Sequence, residues 1–159
     1  MKIFINYRHA DTGWAAWALY FKLEARFGAD SVFFDNGSLR GGMQWLDEIK
    51  SGLTEAGVLL ALIGPNWMSK LQANLQTGAD DFVVKEIDIA LRSKPRVEVV
   101  PVLVDQTEPP DASELPPALE ALPGRQGERL RVGQADIDIE HLINRLIELR
   151  DKGQESDSD

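Results

Sequence analysis

"GVLLALIG" occupies residues 57–64, and its reading decides the fold. The run is apolar throughout, with no polar residue alternating into it. A strand of that kind is covered on both faces, as a central strand of a parallel sheet is. "KIFINY" (2–7) and "RVEVVPVLVD" (96–105) are rich in β-branched and aromatic residues and read as further buried strands. "SVFFD" (31–35) reads as another strand, and "ERLRV" (128–132) as a weak one. Helical patterns lie between them. Asp11 or Thr12 can cap a helix whose apolar face is Trp14, Trp17, Ala18, Phe21 and Ala25, and Gly28 stops it. Residues 43–56 read as a second helix, 65–79 as irregular or only partly helical, and 79–93 as a helix that Pro95 prevents from continuing. A last amphipathic helix (136–150) carries Ile139, Leu142, Ile143, Leu146 and Leu149 on one side. Asp136 and Asp138 at its start and Arg150 and Lys152 at its end suit the helix dipole. Strands alternating with helices imply right-handed crossovers and a parallel sheet with helices on both faces.

The chain has 159 residues, 43% of them hydrophobic, enough for one domain with a sizeable core. With 17 basic and 26 acidic residues its net charge is −9, which argues against nucleic acid as a direct partner. There is no cysteine, so disulfides, thiol nucleophiles and zinc–thiolate sites are excluded. The 2 histidines, His9 and His141, make no metal signature. No apolar run approaches a membrane span, and Asn6 and Arg8 interrupt the opening "MKIFINY" too early for a signal peptide. The cytoplasm is the default expectation. The ending "KGQESDSD" reads as a disordered acidic tail (151–159) that links the domain (1–150) to a further one.

Ligands of such folds bind beyond the carboxyl ends of the strands, at the topological switch point. The residues expected there are Tyr7, Arg8 and His9, Asp35 with the glycine-rich loop 36–42, Gly64 and Pro65, and Asp105. One further residue stands out. In "ADDFVVKEIDIAL" (79–91) the stripe Val83, Ile87, Ala90 and Leu91 has Glu86 at its edge. The residues three and four places from it are Phe82, Val83, Ile89 and Ala90, so the helix itself offers no ion-pair partner. A carboxylate beside an aromatic suits the floor of a pocket. A tertiary salt bridge, to Arg8 or Arg26, is the plainer alternative.

Several chemistries are absent. A receiver domain needs paired acids after the first strand, where this chain has Asn6 and Tyr7. Neither GxGxxG after the first strand nor GxxxxGK[ST] anywhere supplies a phosphate loop, and no GxSxG elbow supplies a nucleophile.

What remains resembles a Toll/interleukin-1 receptor (TIR) domain of the bacterial, NAD-cleaving kind. "FINYRHAD" is similar to that family's opening box, "VFFDNGSLRGG" to its second strand and BB loop, "DDFVVKEIDIAL" to its D-W-V-x-x-E-I helix, and "VVPVLVD" to its fourth strand. The likeness runs from about Lys2 to Leu149. It implies a flavodoxin-like three-layer sandwich with a five-stranded parallel sheet in the order 2-1-3-4-5. It implies that Glu86 acts on NAD+ as substrate, with no cofactor and no metal. Tyr7, Arg8, His9, Asp35, Arg40, Gly41 and Phe82 match substrate-contacting positions. Phe82 stands where the family has tryptophan, and His9 where a second arginine is common. The products would be nicotinamide and ADP-ribose, or a cyclised form. The implied partners are NAD+, other TIR domains assembling through the BB loop (36–44), and a sensor or oligomerising domain beyond the tail, with no membrane contact. A role in bacterial immune signalling follows. The alternative is a non-catalytic adaptor that pairs with other TIR domains.

Overall fold

The computed structural model describes residues 1–34, 51–53, 56–94 and 96–157. Asp35, Arg40, Gly41, the BB loop and most of the helix expected over 43–56 lie outside them. The strands are β1 (Lys2–Asn6), β2 (Val32–Phe34), β3 (Ala56–Ile63), β4 (Glu98–Val104) and β5 (Glu128–Leu130). All pair in parallel, in the order β2-β1-β3-β4-β5, which is the arrangement expected. The helices are α1 (His9–Phe27), α2 (Trp67–Thr77), α3 (Phe82–Arg92) and α4 (Ala135–Asp157).

Alternation along the strands sorts the core into two halves. Ile3 and Ile5 of β1, with Leu60 and Leu62 of β3, meet α1 and α4 on one face. Phe4, Leu59, Ala61 and Ile63 meet α2 and α3 on the other. Asn6 is two residues beyond Phe4, so the same period turns it toward α2 and α3. It is fully buried there.

Three expectations are corrected. Within 65–79, read as irregular or only partly helical, Trp67–Thr77 form a regular helix, α2, ended by Gly78 in the left-handed conformation (φ 74°). Its pattern is weak because only Trp67 and Leu71 are buried, and an exposed polar helix shows little periodicity. Helix α4 continues to Asp157, through most of the tail expected to be disordered; residues 151–154 extend it as exposed positions. Helix α1 starts at His9, before both expected caps, and is kinked at Thr12 (φ −127°, ψ 26°).

The face of α1 is also reversed. Its buried residues are Thr12, Ala15, Ala16, Leu19 and Leu23. Trp14, Trp17 and Phe21 point outward, with side chains 39%, 49% and 62% exposed. The helix has apolar residues on opposite sides, and size misleads in choosing between them. Small residues face the sheet because a close helix–sheet approach leaves little room, and the bulky rings fit only outside. Trp17 does not stand alone: it stacks on Phe21 (5.7 Å between centroids) and meets Phe34 edge-on (5.0 Å).

This orientation has a measurable consequence. Leu19→Ala removes a fully buried side chain and is expected to cost about 3 kcal/mol. Phe21→Ala is expected to stay within about 1 kcal/mol. Urea unfolding of both variants checks the ordering, and a larger loss from Phe21→Ala would reverse the assigned face.

Candidate active site

The site grows from the carboxyl end of β1. Asn6 is the last residue of that strand and carries a carboxamide into the half of the core that faces α3. Its Nδ2 donates to the Val83 carbonyl (3.0 Å) and to Oε1 of Glu86 (2.8 Å). A carbonyl can only accept, so the atom facing Val83 is the nitrogen. Glu86 is 3% exposed. It therefore lies within the buried stripe of α3, with Val83, Ile87 and Ala90, rather than at its edge as the sequence suggested. These positions are i, i+3, i+4 and i+7, the spacing of a core-facing helix. Oε1 of Glu86 thus has a neutral amide as a partner, while the Arg8 fork is on Asp81.

Arg8 is placed beside this pair but engaged elsewhere. Its guanidinium makes a fork with Asp81: Nη1 to Oδ1 at 3.0 Å and Nη2 to Oδ2 at 2.8 Å. Both side chains are about a tenth exposed (9% and 12%). The guanidinium also lies 5.6 Å from the centre of the Trp67 ring, a cation–π distance. Asp81 is the N-cap of α3 and accepts from the Val84 N–H (3.3 Å). Burial pushes the Asp81 carboxyl up, but the hydrogen bond and charge of Arg8, with Asn74 and the Val84 N–H, outweigh it, and the net shift is down. One brace thus ties β1, the start of α2 and the start of α3.

The other expected residues are placed as follows. Tyr7 is buried; its ring stacks on His9 (4.7 Å, 12° between planes) and meets Phe34 edge-on (5.4 Å). His9 is exposed, at the start of α1. Phe82 is half-buried against the α2–α3 half of the core, with Lys85 Nζ 5.3 Å from its ring centre. Trp67 is fully buried. Asp105 serves the backbone instead: at φ 58° its Oδ1 accepts from the Val132 N–H (3.0 Å). Gly64 is required for close approach. A Cβ there would fall 2.5 Å from Thr12 Cγ2 and 2.6 Å from Asp11 Oδ2. Asp11, read as a cap for α1, instead accepts from the Asn66 N–H (3.1 Å) and joins α1 to the end of β3.

A cavity of about 360 Å³ opens beside Trp67, between Gly64, Pro65, Met68, Thr107 and Glu108. Glu86 does not line it. Among the described residues no cluster of His, Asp or Glu could hold a metal ion. Among them, too, no helix is long and apolar enough to cross a membrane.

Sequence reasoning missed Asn6 and Asp81. A polar residue at the end of an apolar strand was the available signal for Asn6. Asp81 was visible as a cap ahead of "FVV", but its partner lies 73 residues away.

The parallel sheet in the order β2-β1-β3-β4-β5, with helices on both faces, defines the doubly wound class of α/β domain. The family model for the TIR domain matches residues 3–143, and the chain belongs to that family. Among solved structures it is similar to the TIR domains in a structure of the activated Roq1 resistosome directly recognizing the pathogen effector XopQ. That match has a TM-score of 0.65 at 16% identity and covers 91% of this chain and 98% of the other. No curated protein matches.

The brace predicts an acid sensitivity. Asp81 has a lowered pKa in the fold. Its stabilisation is fully present above the unfolded carboxyl value, about 3.9, and is lost as pH falls through the lower folded value. Asp81→Asn keeps the cap but unpairs a buried guanidinium, so it should cost about 3 kcal/mol at pH 7. The difference from wild type should shrink below about pH 4. Urea unfolding followed by tryptophan fluorescence at several pH values measures both. A gap that stays constant down to pH 2 would contradict the pairing.

Proposed function

We propose that this TIR domain is an NAD+ glycohydrolase with Glu86 as its catalytic carboxylate, working as an effector of bacterial immune signalling in the cytoplasm. One observation carries the reading: Glu86 is buried on α3 and bonded to Asn6 at the carboxyl end of β1. That is the end of the sheet where doubly wound folds bind nucleotides.

A single acid is sufficient for this reaction. Ordinary glycosides need a second carboxyl to protonate the leaving oxygen. In NAD+ the leaving group is a pyridinium. The C1′–N bond breaks, its electron pair passes to the ring nitrogen, and nicotinamide departs neutral without a proton. Positive charge develops on the ribose, and a fixed carboxylate opposite it lowers the barrier. Water attacks C1′ and releases one proton to solvent, giving ADP-ribose. If a substrate nucleophile reaches C1′ first, the product is cyclic.

Tyr7, Arg8, His9 and Phe82 are assigned to the substrate, as are Asp35, Arg40 and Gly41 from the adjoining segment. The carboxylate of Glu86 has little exposure in the single chain, so we place activation at self-assembly through the BB loop (36–44). The likeness to a domain of an activated resistosome supports this. A sensor or oligomerising domain beyond the tail would supply the trigger.

Concentrated or artificially clustered protein should release nicotinamide from NAD+, followed by chromatography. Glu86→Gln preserves shape and can still accept from Asn6. It should lower the rate at least about 100-fold with melting temperature nearly unchanged. Equal release from that variant would leave the domain as an adaptor that only binds other TIR domains.

A further inference from the structure

The alternation of β1 delivers one polar side chain, Asn6, into the half of the core that faces α3 and holds Glu86. The residue is fully buried, so the group is costly unless its bonds matter. Both N–H groups of the carboxamide are used, one on the Val83 carbonyl and one on Glu86 Oε1. Val83 and Glu86 are neighbours on one face of α3. The amide therefore grips the helix at two points, one backbone and one carboxylate. Its own Oδ1 is buried with no hydrogen-bond partner. An orientation that leaves an acceptor unsatisfied is held by what the nitrogen gains.

We propose that Asn6 is the positioning residue of Glu86. It fixes the carboxylate's rotamer and favours its ionised form, and it does so without adding a positive charge. This rests on the hydrolase reading above and deepens it. The two-point grip on α3 is the substance of the inference. An arginine at this bond would also orient Glu86, but its charge would offset the negative potential that a developing ribosyl cation needs. An amide donor favours the carboxylate over the acid and adds no charge of its own. Arg8, two residues on, has its fork on Asp81 instead.

Three variants of the full chain test this. Asn6→Leu fills the same space without a donor, Asn6→Ser keeps a shorter donor, and Asn6→Asp keeps the shape but reverses the polarity. The first readout needs no activity: carboxyl carbon NMR of selectively labelled protein, titrated with acid. Glu86 should titrate at higher pH in Asn6→Leu than in wild type, with Asn6→Ser between them. The second readout is NAD+ cleavage by clustered protein. Asn6→Leu should lose kcat about 10- to 100-fold while KM changes less than about threefold. Asn6→Asp should lose activity as pH rises, because two carboxylates in contact share one proton at low pH and repel once both ionise. A packing role alone gives neither effect. If Asn6→Leu does not fold, Asn6→Ser and Asn6→Asp carry both readouts.

An unmoved Glu86 titration in the folded variants overturns the proposal, whatever the kinetics. So does a fall in kcat matched by an equal rise in KM with no change in pH profile. A wild type that cleaves no NAD+ when clustered sinks the hydrolase reading instead, and the titration then decides the Asn6 assignment by itself.

Discussion

A carboxylate inside an apolar helix face is the constraint around which this end of the molecule is arranged. Helix α3 buries Val83, Ile87 and Ala90 against the sheet, and Glu86 goes in with them. An unsatisfied charge there would cost several kcal/mol. The fold answers with a donor on the element the helix covers. One such donor comes from β1, at the position where the strand ends and its inward side chains reach α3. Asn6 is that residue. The same helix cannot slide or rotate by one residue without breaking this bond and the Val83 contact together. The polar pair therefore sets register as well as charge.

The second anchor is ionic. Asp81 begins α3 and does two tasks, capping Val84 and holding Arg8. Its carboxyl pairs with a cation, whereas Glu86 receives a neutral amide. Two acids five residues apart on one helix are thus given different environments. Environment, more than residue type, divides structural from chemical roles among carboxylates. The partners could not be exchanged without consequence. A guanidinium on Glu86 would offset its charge, and an amide on Asp81 would leave Arg8 buried without a counter-ion.

Much of the architecture was legible in the sequence because its signals are local. Apolar runs such as 57–64 and 99–104 announce central strands, and alternation of strand with helix leaves a parallel sheet as the expected outcome. Glu86 stood out for the same reason, as a carboxylate read at the edge of an apolar stripe. What escaped detection was decided by partners distant in the chain. The buried face of α1 follows from how closely the helix approaches the sheet, not from which residues are most apolar. Ala15, Ala16 and Leu19 win that place over Trp14, Trp17 and Phe21. Helix α2 was legible only as a partly helical stretch because it buries only two of its side chains. The pairing of Arg8 with Asp81 also escaped, because Asp81 lies far along the sequence from it.

Gly64 shows how such distant effects accumulate at the site. It sits where β3 leaves the sheet, and its missing side chain lets Asp11 and Thr12 of α1 approach the strand end. Asp11 then receives the Asn66 N–H and sets the start of α2. Trp67 follows at once, and its ring supports the Arg8 guanidinium. Arg8 holds Asp81, and Asp81 starts the helix that carries Glu86. Because the links run in series, the carboxylate's position inherits the precision of the least exact one. That is a physical reason for the chain to place a glycine, a buried tryptophan and a two-point amide around one acid rather than leaving it on a loop.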